Sequence, residues 1–287
     1  ALTLGTSAFT TSGLVASDAV SSVTLLQGGN ATIAPTQAAG VYSGGTNGII
    51  ASAANGTGLG NYAIVYAPGT LTINKAVLTV TADNQTKVYG NANPTLTYSV
   101  TGYQNSESAS VLSGTASITS AATLTTGVGT AVISAAAGNL AASNYSFSYV
   151  NGVLTITPAP LTISGTNANK TYTGLAQTNT AATITGLKNT DNFTITGYGT
   201  GTNVASYSDN LAASPVTGTS ANNYTITNSG SAAVTINKAT LTIIPDAKSV
   251  TYGGAAPTYT FSVNGFKNSQ TTSTAANYSA PTCSSSY

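Results

Sequence analysis

The sequence predicts an all-β protein made of tandem Ig-like β-sandwich domains of about 80 residues, and three observations support this fold. Apolar and polar residues alternate with a period of two in short runs, such as residues 78–82 and 145–149. Turns rich in Gly and Asn separate these runs. The same strings then recur along the chain at intervals of about 80 residues. A β-grasp-like sheet with one helix is the alternative fold.

The composition of the 287-residue chain excludes several classes of protein. Charged residues make up 5% and hydrophobic residues 41%, with 16 Tyr, whereas disordered chains have few apolar and aromatic residues. The net charge is +1 and the lysines are spread along the chain, so nucleic acid, which needs a basic patch, is not an expected partner. No apolar run reaches the roughly 20 residues of a membrane-spanning helix, so direct membrane insertion is not expected.

The closing part of each predicted domain carries an Asn-Tyr pair, a Gly and a strand. The pairs are Asn61 and Tyr62, Asn144 and Tyr145, and Asn223 and Tyr224. A fresh opening strand follows each closing strand at once, at residues 78–80, 161–163 and 241–243. We interpret these pairs as structural, with the Asn side chain closing a turn and the Tyr anchoring the core through a satisfied hydroxyl. A ligand contact is the alternative.

The opening strand of each domain leads to a Lys and a Tyr, and a turn follows later. The tyrosines are Tyr89, Tyr172 and Tyr252. The turn reads Gly-apolar-x-Asn-Ser/Thr at residues 102–106, 186–190 and 265–269. The neighbouring lysines are interpreted as solvated side chains that lie over the Tyr rings and discourage edge pairing. An isopeptide crosslink or a binding charge is the alternative.

These strings divide the chain into four repeats. The first repeat, 1–76, lacks its opening strand; the second, 77–160, and the third, 161–240, are complete; the fourth, 241–287, is the first half of a further repeat. The joints between repeats are short, and Pro158 and Pro160 stiffen one of them, which predicts a semi-rigid rod. The absence of an initiator Met and of a signal peptide at Ala1 indicates an interior or processed segment.

Within a repeat, the alternation predicts antiparallel sheet with one buried face and one hydroxyl-rich face. Asn151 and Gly152 form a dipeptide that is typical of a tight turn between two such strands. The best helical candidate is residues 105–112, where Asn105 or Ser106 would cap a turn or two of helix.

The strings of residues 77–160 resemble the MBG repeat of large bacterial surface proteins. They comprise Lys-x-Tyr-Gly at 87–90, the Gly-aromatic pair at 102–103, and the stretch from Asn144 to Ile156. Residues 161–240 resemble the related YDG repeat, with Thr173 where Asp is usual. Such repeats occur in filamentous haemagglutinin-like adhesins, so the resemblance implies a bacterial cell-surface or extracellular fibre. The family name hints at mucin binding, and the family has no catalytic residues to transfer.

Cys283 is the only cysteine. The resemblance includes variants with a second Cys further along the same repeat, so we expect Cys283 to pair with a Cys beyond Tyr287. Such a disulfide would place the protein in an oxidising compartment.

The residues of a catalytic or metal site do not cluster in the sequence. There is no His, and the six acidic residues are scattered between repeats, with only Asp191 and Asp209 sharing the third repeat. Calcium loops carry spaced acids, and no such run is present. We therefore predict that the chain is not an enzyme and holds no metal or cofactor.

Three functions remain open from the sequence. The leading hypothesis is the stalk of an extracellular adhesin or a surface filament, in which repeats contact neighbouring repeats or copies of the chain. The second is a glycan- or mucin-binding module that acts through many weak contacts. The third is a spacer that carries an enzyme elsewhere. Assembly is either a covalent array of repeats, which we favour, or a polymer in which residues near 241–252 of one copy complete the sheet of the next.

Overall fold

The computed structural model describes residues 1–284 and confirms the all-β fold. The described residues contain no α-helix; they contain three single 3₁₀ turns, at Leu59–Asn61, Ala109–Val111 and Ala221–Asn223. The predicted helix at residues 105–112 is therefore wrong. Only Ala109–Val111 are helical in this range, and they form a single 3₁₀ turn. Asn105 and Ser106 have positive φ angles of 53° and 61°, which are incompatible with the start of a right-handed helix.

The chain divides into two compact units. Unit 1 comprises residues 1–87, 93–123 and 130–155, and unit 2 comprises residues 88–92, 124–129 and those from 156 onward. With their complete ranges, the strands up to the end of the second repeat are β1 (Leu2–Thr3), β2 (Ala19–Gln27), β3 (Thr32–Ile33), β4 (Gly40–Tyr42), β5 (Ile49–Thr57), β6 (Leu71–Ile73), β7 (Ala76–Ala82), β8 (Gln85–Val88), β9 (Tyr98–Thr101), β10 (Ser117–Thr119), β11 (Gly129–Ala136), β12 (Tyr145–Val150) and β13 (Gly152–Thr157).

The second repeat is built from two sheets, as a β-sandwich requires. One sheet has the order β10-β11-β13-β8 and the other the order β12-β7-β9. Leu78 and Val80 on β7, Ile133 on β11 and Leu154 on β13 are fully buried. The core of this repeat therefore takes its largest side chains from both sheets.

The central strand β7 corrects the prediction of purely antiparallel sheet. It pairs antiparallel with β9, from Thr79 opposite Thr101 onward, but parallel with β12, with Leu78 opposite Phe147. Alternating side chains have the same period in both kinds of pairing, so the sequence pattern could not distinguish them. The opening strand and the Asn-Tyr strand are thus neighbours although paired residues such as Leu78 and Phe147 are 69 positions apart in the chain (147 minus 78).

The predicted tight turn at Asn151 and Gly152 is also wrong as a hairpin. Strands β12 and β13, on either side of it, belong to different sheets. The Asn151 side chain accepts the backbone N–H of Ala135 at 3.0 Å. A Cβ on the buried Gly152 would lie 2.5 Å from the carbonyl oxygen of Ala82, so this position lets the chain cross closely between the sheets.

The third repeat, in unit 2, repeats this arrangement. The remaining strands are β14 (Ala159–Gly165), β15 (Ala168–Thr171), β16 (Gln177–Thr178), β17 (Ala182–Thr185), β18 (Phe193–Thr196), β19 (Thr200–Gly201), β20 (Ser206–Ser208), β21 (Ala212–Pro215), β22 (Tyr224–Ser229), β23 (Ala233–Asn237), β24 (Thr242–Pro245) and β25 (Phe261–Asn264). Strand β14 lies between the antiparallel β17 and the parallel β22, and β23 lies between β15 and β20. Leu161, Ile163, Val234 and Ile236 form its buried core.

The first and fourth repeats have smaller sheets. In the first, β2 pairs with β5, β4 with β6 and β1 with β3. In the fourth, β24 pairs only with β25 among the described residues. The opening strand, which is central in the second and third repeats, thus has a single neighbour in the fourth.

Candidate functional site at the repeat junctions

Four turns with the same backbone pattern recur along the chain, and we call them the junction turns: residues 13–18, 102–107, 186–191 and 265–270. In each, the last residue donates its backbone N–H to the carbonyl three residues earlier, as Asp191 does to Lys188 at 3.1 Å. The fourth residue of each turn has a φ of 52° or 53°: Ala16, Asn105, Asn189 and Asn268. Asn tolerates this left-handed region better than most residues, which explains why it recurs there.

The junction turn at residues 13–18 was not predicted. Ala16 stands where the other three turns have Asn, so the Gly-apolar-x-Asn-Ser/Thr pattern does not reveal it. The signals that remain in the sequence are Gly13 at the start of the turn and the acidic Asp18 at its end. The backbone conformation is nevertheless the same, with a φ of 53° at Ala16.

The tyrosines of the Asn-Tyr pairs place their hydroxyl groups in these turns. Tyr224 accepts the backbone N–H of Lys188 at 3.0 Å and donates to Oδ2 of Asp191 at 2.6 Å. The other two tyrosines each make the same pair of bonds: Tyr145 with Gln104 and Glu107, and Tyr62 with Val15 and Asp18. Three of the four turns, at residues 13–18, 102–107 and 186–191, are thus tied to a tyrosine of their own repeat by a backbone donor and a carboxylate acceptor.

Tyr89, from the Lys-x-Tyr string of the second repeat, joins the junction turn of the third repeat within unit 2. Its side chain is buried, and its hydroxyl donates to Oδ2 of Asp191 at 2.9 Å. The rings of Tyr89 and Tyr224 meet edge to face with centroids 5.6 Å apart, and Phe193 meets Tyr224 likewise at 5.3 Å. One carboxylate therefore accepts hydrogen bonds from two repeats, inside an aromatic cluster.

The tyrosines at the equivalent positions of the third and fourth repeats, Tyr172 and Tyr252, have different surroundings. The hydroxyl of Tyr172, in the third repeat, accepts a hydrogen bond from Nε2 of Gln270 at 3.1 Å. Gln270 ends the junction turn of the fourth repeat, as Asp191 ends that of the third. Tyr252, in the fourth repeat, is fully exposed.

Asn side chains make the second set of contacts at the junctions. In the three turns that contain Asn, its amide donates to a backbone carbonyl of the preceding repeat: Asn105 to Pro35, Asn189 to Leu124 and Asn268 to Gly174, at 3.0–3.3 Å.

The Asn of the Asn-Tyr pair accepts a backbone N–H of the preceding repeat at 3.0 Å: Asn144 from Ala39 and Asn223 from Val128. The Asn61 side chain is exposed in a 3₁₀ turn. The Asn of the turn thus joins all three pairs of consecutive repeats in the same way, and the Asn of the Asn-Tyr pair joins two of them.

A family comparison assigns two of these repeats. Residues 78–155 and 241–286 match the family model of the MBG domain, YGX type. The predicted MBG-type repeats are therefore confirmed for these two segments, and such domains occur in surface proteins. No curated protein matches the chain. The YDG-like character of residues 161–240 stays a prediction.

Lys87 of the first MBG segment differs from the predicted solvated lysine. Its side chain is buried, and Nζ donates to the carbonyl oxygen of Thr123 at 2.6 Å. Burial lowers the pKa of this ammonium group. In the third repeat, Nζ of Lys170 likewise donates to the carbonyl of Thr178 at 2.9 Å. These lysines therefore hold neighbouring loops, while Lys248 of the second MBG segment is exposed.

A buried polar group around Asn179 was also not predicted. Asn179 is fully buried in the third repeat, and its amide donates to the carbonyl of Thr166 at 3.0 Å and to Oδ2 of Asp209 at 2.9 Å. Asp209 accepts the backbone N–H of Gly199 through its other oxygen at 2.6 Å. Nothing in the sequence around Asn179 distinguishes it from the many other Asn residues.

The acidic residues serve separate hydrogen-bonding groups. Asp191 binds the two tyrosines, whereas Asp209 binds Asn179 and a backbone amide. Among residues 1–284, no group of three or more His, Cys, Asp or Glu side chains could hold a metal ion. These carboxylates act as hydrogen-bond acceptors for buried hydroxyl and amide groups.

Cys283 is exposed and carries a free thiol in the structure. Its predicted partner lies beyond Tyr287 and therefore outside the described residues. In the part of the chain that the structure describes, no helix is long and apolar enough to cross a membrane.

The tyrosines of the junction cluster are held in their protonated form. Burial first, and then the hydrogen bond to Asp191, raise the pKa of Tyr224 to about 12. Burial also raises the pKa of Tyr89. In Tyr145 the hydrogen bond to Glu107 is the main reason for a raised pKa. The phenol groups can thus donate hydrogen bonds throughout the physiological pH range.

Unit 2 is expected to lose stability as the pH rises from about 10 to about 12. The folded state raises the pKa of Tyr224 from 10.0 to about 12, so it binds more protons than the unfolded state in this window. The contribution of Tyr224 to the free energy of unfolding, measured by urea denaturation at a series of pH values, should therefore be constant below this window and fall within it. The variant Tyr224→Phe should reduce the slope, whereas Tyr252→Phe, at an exposed site, should leave it unchanged.

Proposed function

We propose that this chain is a non-catalytic structural repeat segment of an extracellular bacterial adhesin stalk or surface filament. The observation that carries the proposal is the junction between consecutive repeats, which recurs with the same groups at Asn105, Asn189 and Asn268. A recurring set of hydrogen bonds between each repeat and the one before it is what a tandem structural array needs, since each repeat then contacts its neighbours in the chain. The MBG-type repeats, which occur in surface proteins, support the same role.

The chemistry of the junction suits a protein that must hold its form outside a cell. Its hydrogen bonds join uncharged amides, phenols and backbone groups to a few carboxylates, and charged residues make up 5% of the chain. Such contacts depend less on ionic strength than surface salt bridges do. The partners of each repeat, in this proposal, are its neighbours along the chain or in a fibre.

A glycan- or mucin-binding module is less well supported. Sugar sites commonly use an exposed aromatic ring, but Tyr89, Tyr145 and Tyr224 are buried, with hydroxyl groups that are engaged in the junction turns. Tyr252 is fully exposed, but it belongs to one repeat only. Multivalent binding would need an equivalent exposed ring in each repeat.

The proposed function is tested by locating the protein on cells and by measuring its retention on mucin. Antibodies against residues 161–240 should label intact source cells along surface fibres, and the purified chain should not be retained on immobilised mucin. Labelling only after permeabilisation would contradict the surface role. Retention on mucin that is lost in Tyr252→Ala would favour the glycan-binding alternative instead.

A further inference from the structure

The third repeat begins and ends in two chain segments that are bonded side by side. The first segment, residues 159–171, contains β14 and β15, and the last segment, residues 224–237, contains β22 and β23. Six residue pairs join β14 to β22, starting with Ala159 opposite Tyr224, and four residue pairs join β15 to β23. Both pairings are parallel. The chain therefore enters and leaves this repeat through segments that are paired with each other.

The first segment keeps its direction between its two strands. Only Thr166 and Asn167 lie between β14 and β15, and the chain has neither a turn nor a bend at these residues. Strand β15 belongs to a different sheet from β14, so the segment passes from one sheet to the other without reversing. The last segment runs parallel to it in both sheets. The entry at Ala159 and the exit at Asn237 therefore lie at opposite ends of the paired segments.

The paired segments are also held on their outer edges. Strand β14 lies between β22 and the antiparallel β17, and β23 lies between β15 and the antiparallel β20. The inward side chains of β14 and β23 are buried: Leu161, Ile163, Val234 and Ile236. The hydrogen bonds between the segments thus lie beside an apolar core, where a hydrogen bond is electrostatically stronger than it is in water.

The second repeat has the same arrangement at its entry and exit. Strands β7 and β12 pair in parallel, starting with Ala76 opposite Tyr145, and β8 lies beside β13 in the other sheet. The chain again has no turn or bend between β7 and β8. Beyond β8, the backbone N–H of Tyr89 donates to the carbonyl of Thr157 at 2.8 Å, and the equivalent bond of the third repeat has the same length. Two consecutive repeats therefore share this pairing of entry and exit.

We propose that the paired first and last segments of a repeat form a mechanical clamp that bears tension along the chain. This inference rests on the proposed structural role, because a stalk or filament that holds a cell is pulled through the joints between its repeats. Tension at the entry and the exit pulls the two segments past each other along their own axes. Hydrogen bonds are evenly spaced in a parallel pair, so they share this tension and must break together.

The resistance of the clamp depends on the direction of the force. A pair of strands that is pulled apart from one end resists less, since its hydrogen bonds break one after another. Forced unfolding is governed by the rate of unfolding and not by the equilibrium free energy. A repeat of a given stability should therefore be strong when it is pulled from entry to exit and weaker when it is pulled across the segments.

The test pulls the third repeat of the 287-residue chain in two directions, with single-molecule handles on pairs of new cysteines. Handles at Pro158→Cys and Lys238→Cys pull the segments lengthwise, past each other. Handles at Leu175→Cys and Lys238→Cys pull the neighbouring ends of the two segments apart. The three positions are exposed, and both variants also carry Cys283→Ser, which removes the exposed native thiol. Only residues of the third repeat lie between the handles.

The lengthwise variant should unfold at about twice the force of the other variant or more, because the six residue pairs between β14 and β22 resist together and not in turn. Equal forces in the two directions, or a lower force lengthwise, would overturn the proposal.

A second measurement needs no substitution. The unmodified chain, held at its two ends, should show two late events at the highest force, one for each complete repeat. Each event should release about 80 residues, or roughly 260–290 Å of extended chain less the length that the folded repeat already spans. A chain that extends without events of this size also overturns the clamp. Surface labelling of cells does not depend on these forces, so the clamp can fail while the structural role stands. A strong clamp in a protein that is absent from the cell surface would overturn the structural role alone.

Discussion

Asp191→Ala is expected to destabilise unit 2 by about 2–4 kcal/mol, because two buried phenol groups then lose their acceptor. Tyr89 and Tyr224 both donate to Oδ2 of Asp191, at 2.9 and 2.6 Å. An unsatisfied buried donor costs about 1–3 kcal/mol. Water that enters the space left by the Asp191 side chain replaces the lost acceptor only in part. Hydrogen exchange of the amides in residues 186–229 measures the loss directly.

Asp246→Ala is the matched control for this change. Asp246 also accepts a hydrogen bond from a hydroxyl group, that of Thr260, but both residues are exposed in the fourth repeat. Its removal should change the stability of unit 2 by less than about 0.5 kcal/mol. Equal effects of the two substitutions would show that Asp191 has no special part in the junction.

Leu161→Ala is expected to destabilise unit 2 by about 2–5 kcal/mol, since it removes a fully buried side chain and leaves a cavity. Leu161 lies on β14, which is paired on both edges, so the surrounding backbone has little freedom to collapse into the space. Urea denaturation, followed by circular dichroism, measures the loss as a lower midpoint.

Leu175→Ala provides the comparison for the core substitution in the same repeat. Leu175 is exposed, so its truncation should change the stability by no more than about 0.5 kcal/mol. A small effect at Leu161 would mean that β14 does not carry the core of the third repeat.

The sequence predicted the repeats and the strands because their signals are local and recur. Leu78 and Leu161 alternate with Thr on strands that the structure shows as central, and Tyr145 and Tyr224 follow Asn in both complete repeats. Periodicity does not specify which strands are neighbours, however. The parallel pairing of β7 with β12 depends on contacts across a whole repeat, and no local pattern encodes it.

The junction was visible in the sequence only in part. The recurring Asn and Tyr residues marked positions with a structural requirement, but the turn at residues 13–18 was hidden because Ala16 adopts the conformation that Asn adopts elsewhere. The shared role of Asp191 could not be predicted either. It depends on Tyr89, which is about 100 residues away in the chain, and sequence spacing contains no information on such an approach.

The burial of Lys87 could not be predicted from the sequence for a similar reason. A Lys beside a Tyr at the end of a strand is more often solvated, and the carbonyl of Thr123 that receives its Nζ belongs to a distant loop. The sequence indicated the strand on which Lys87 lies. Only the packed repeat shows the acceptor that makes burial of the ammonium group tolerable.

A double-mutant cycle between Tyr89 and Asp191 tests most directly whether consecutive repeats are coupled through the junction. The variants are Tyr89→Phe, Asp191→Ala and the two together, with the pair Tyr89→Phe and Asp246→Ala as the control. If the two repeats share this hydrogen bond, the double variant should lose about 0.5–3 kcal/mol less free energy of unfolding than the sum of the two single losses. For the control pair, the two losses should be additive. Additive losses at Tyr89 and Asp191, within about 0.5 kcal/mol, would contradict a coupled junction.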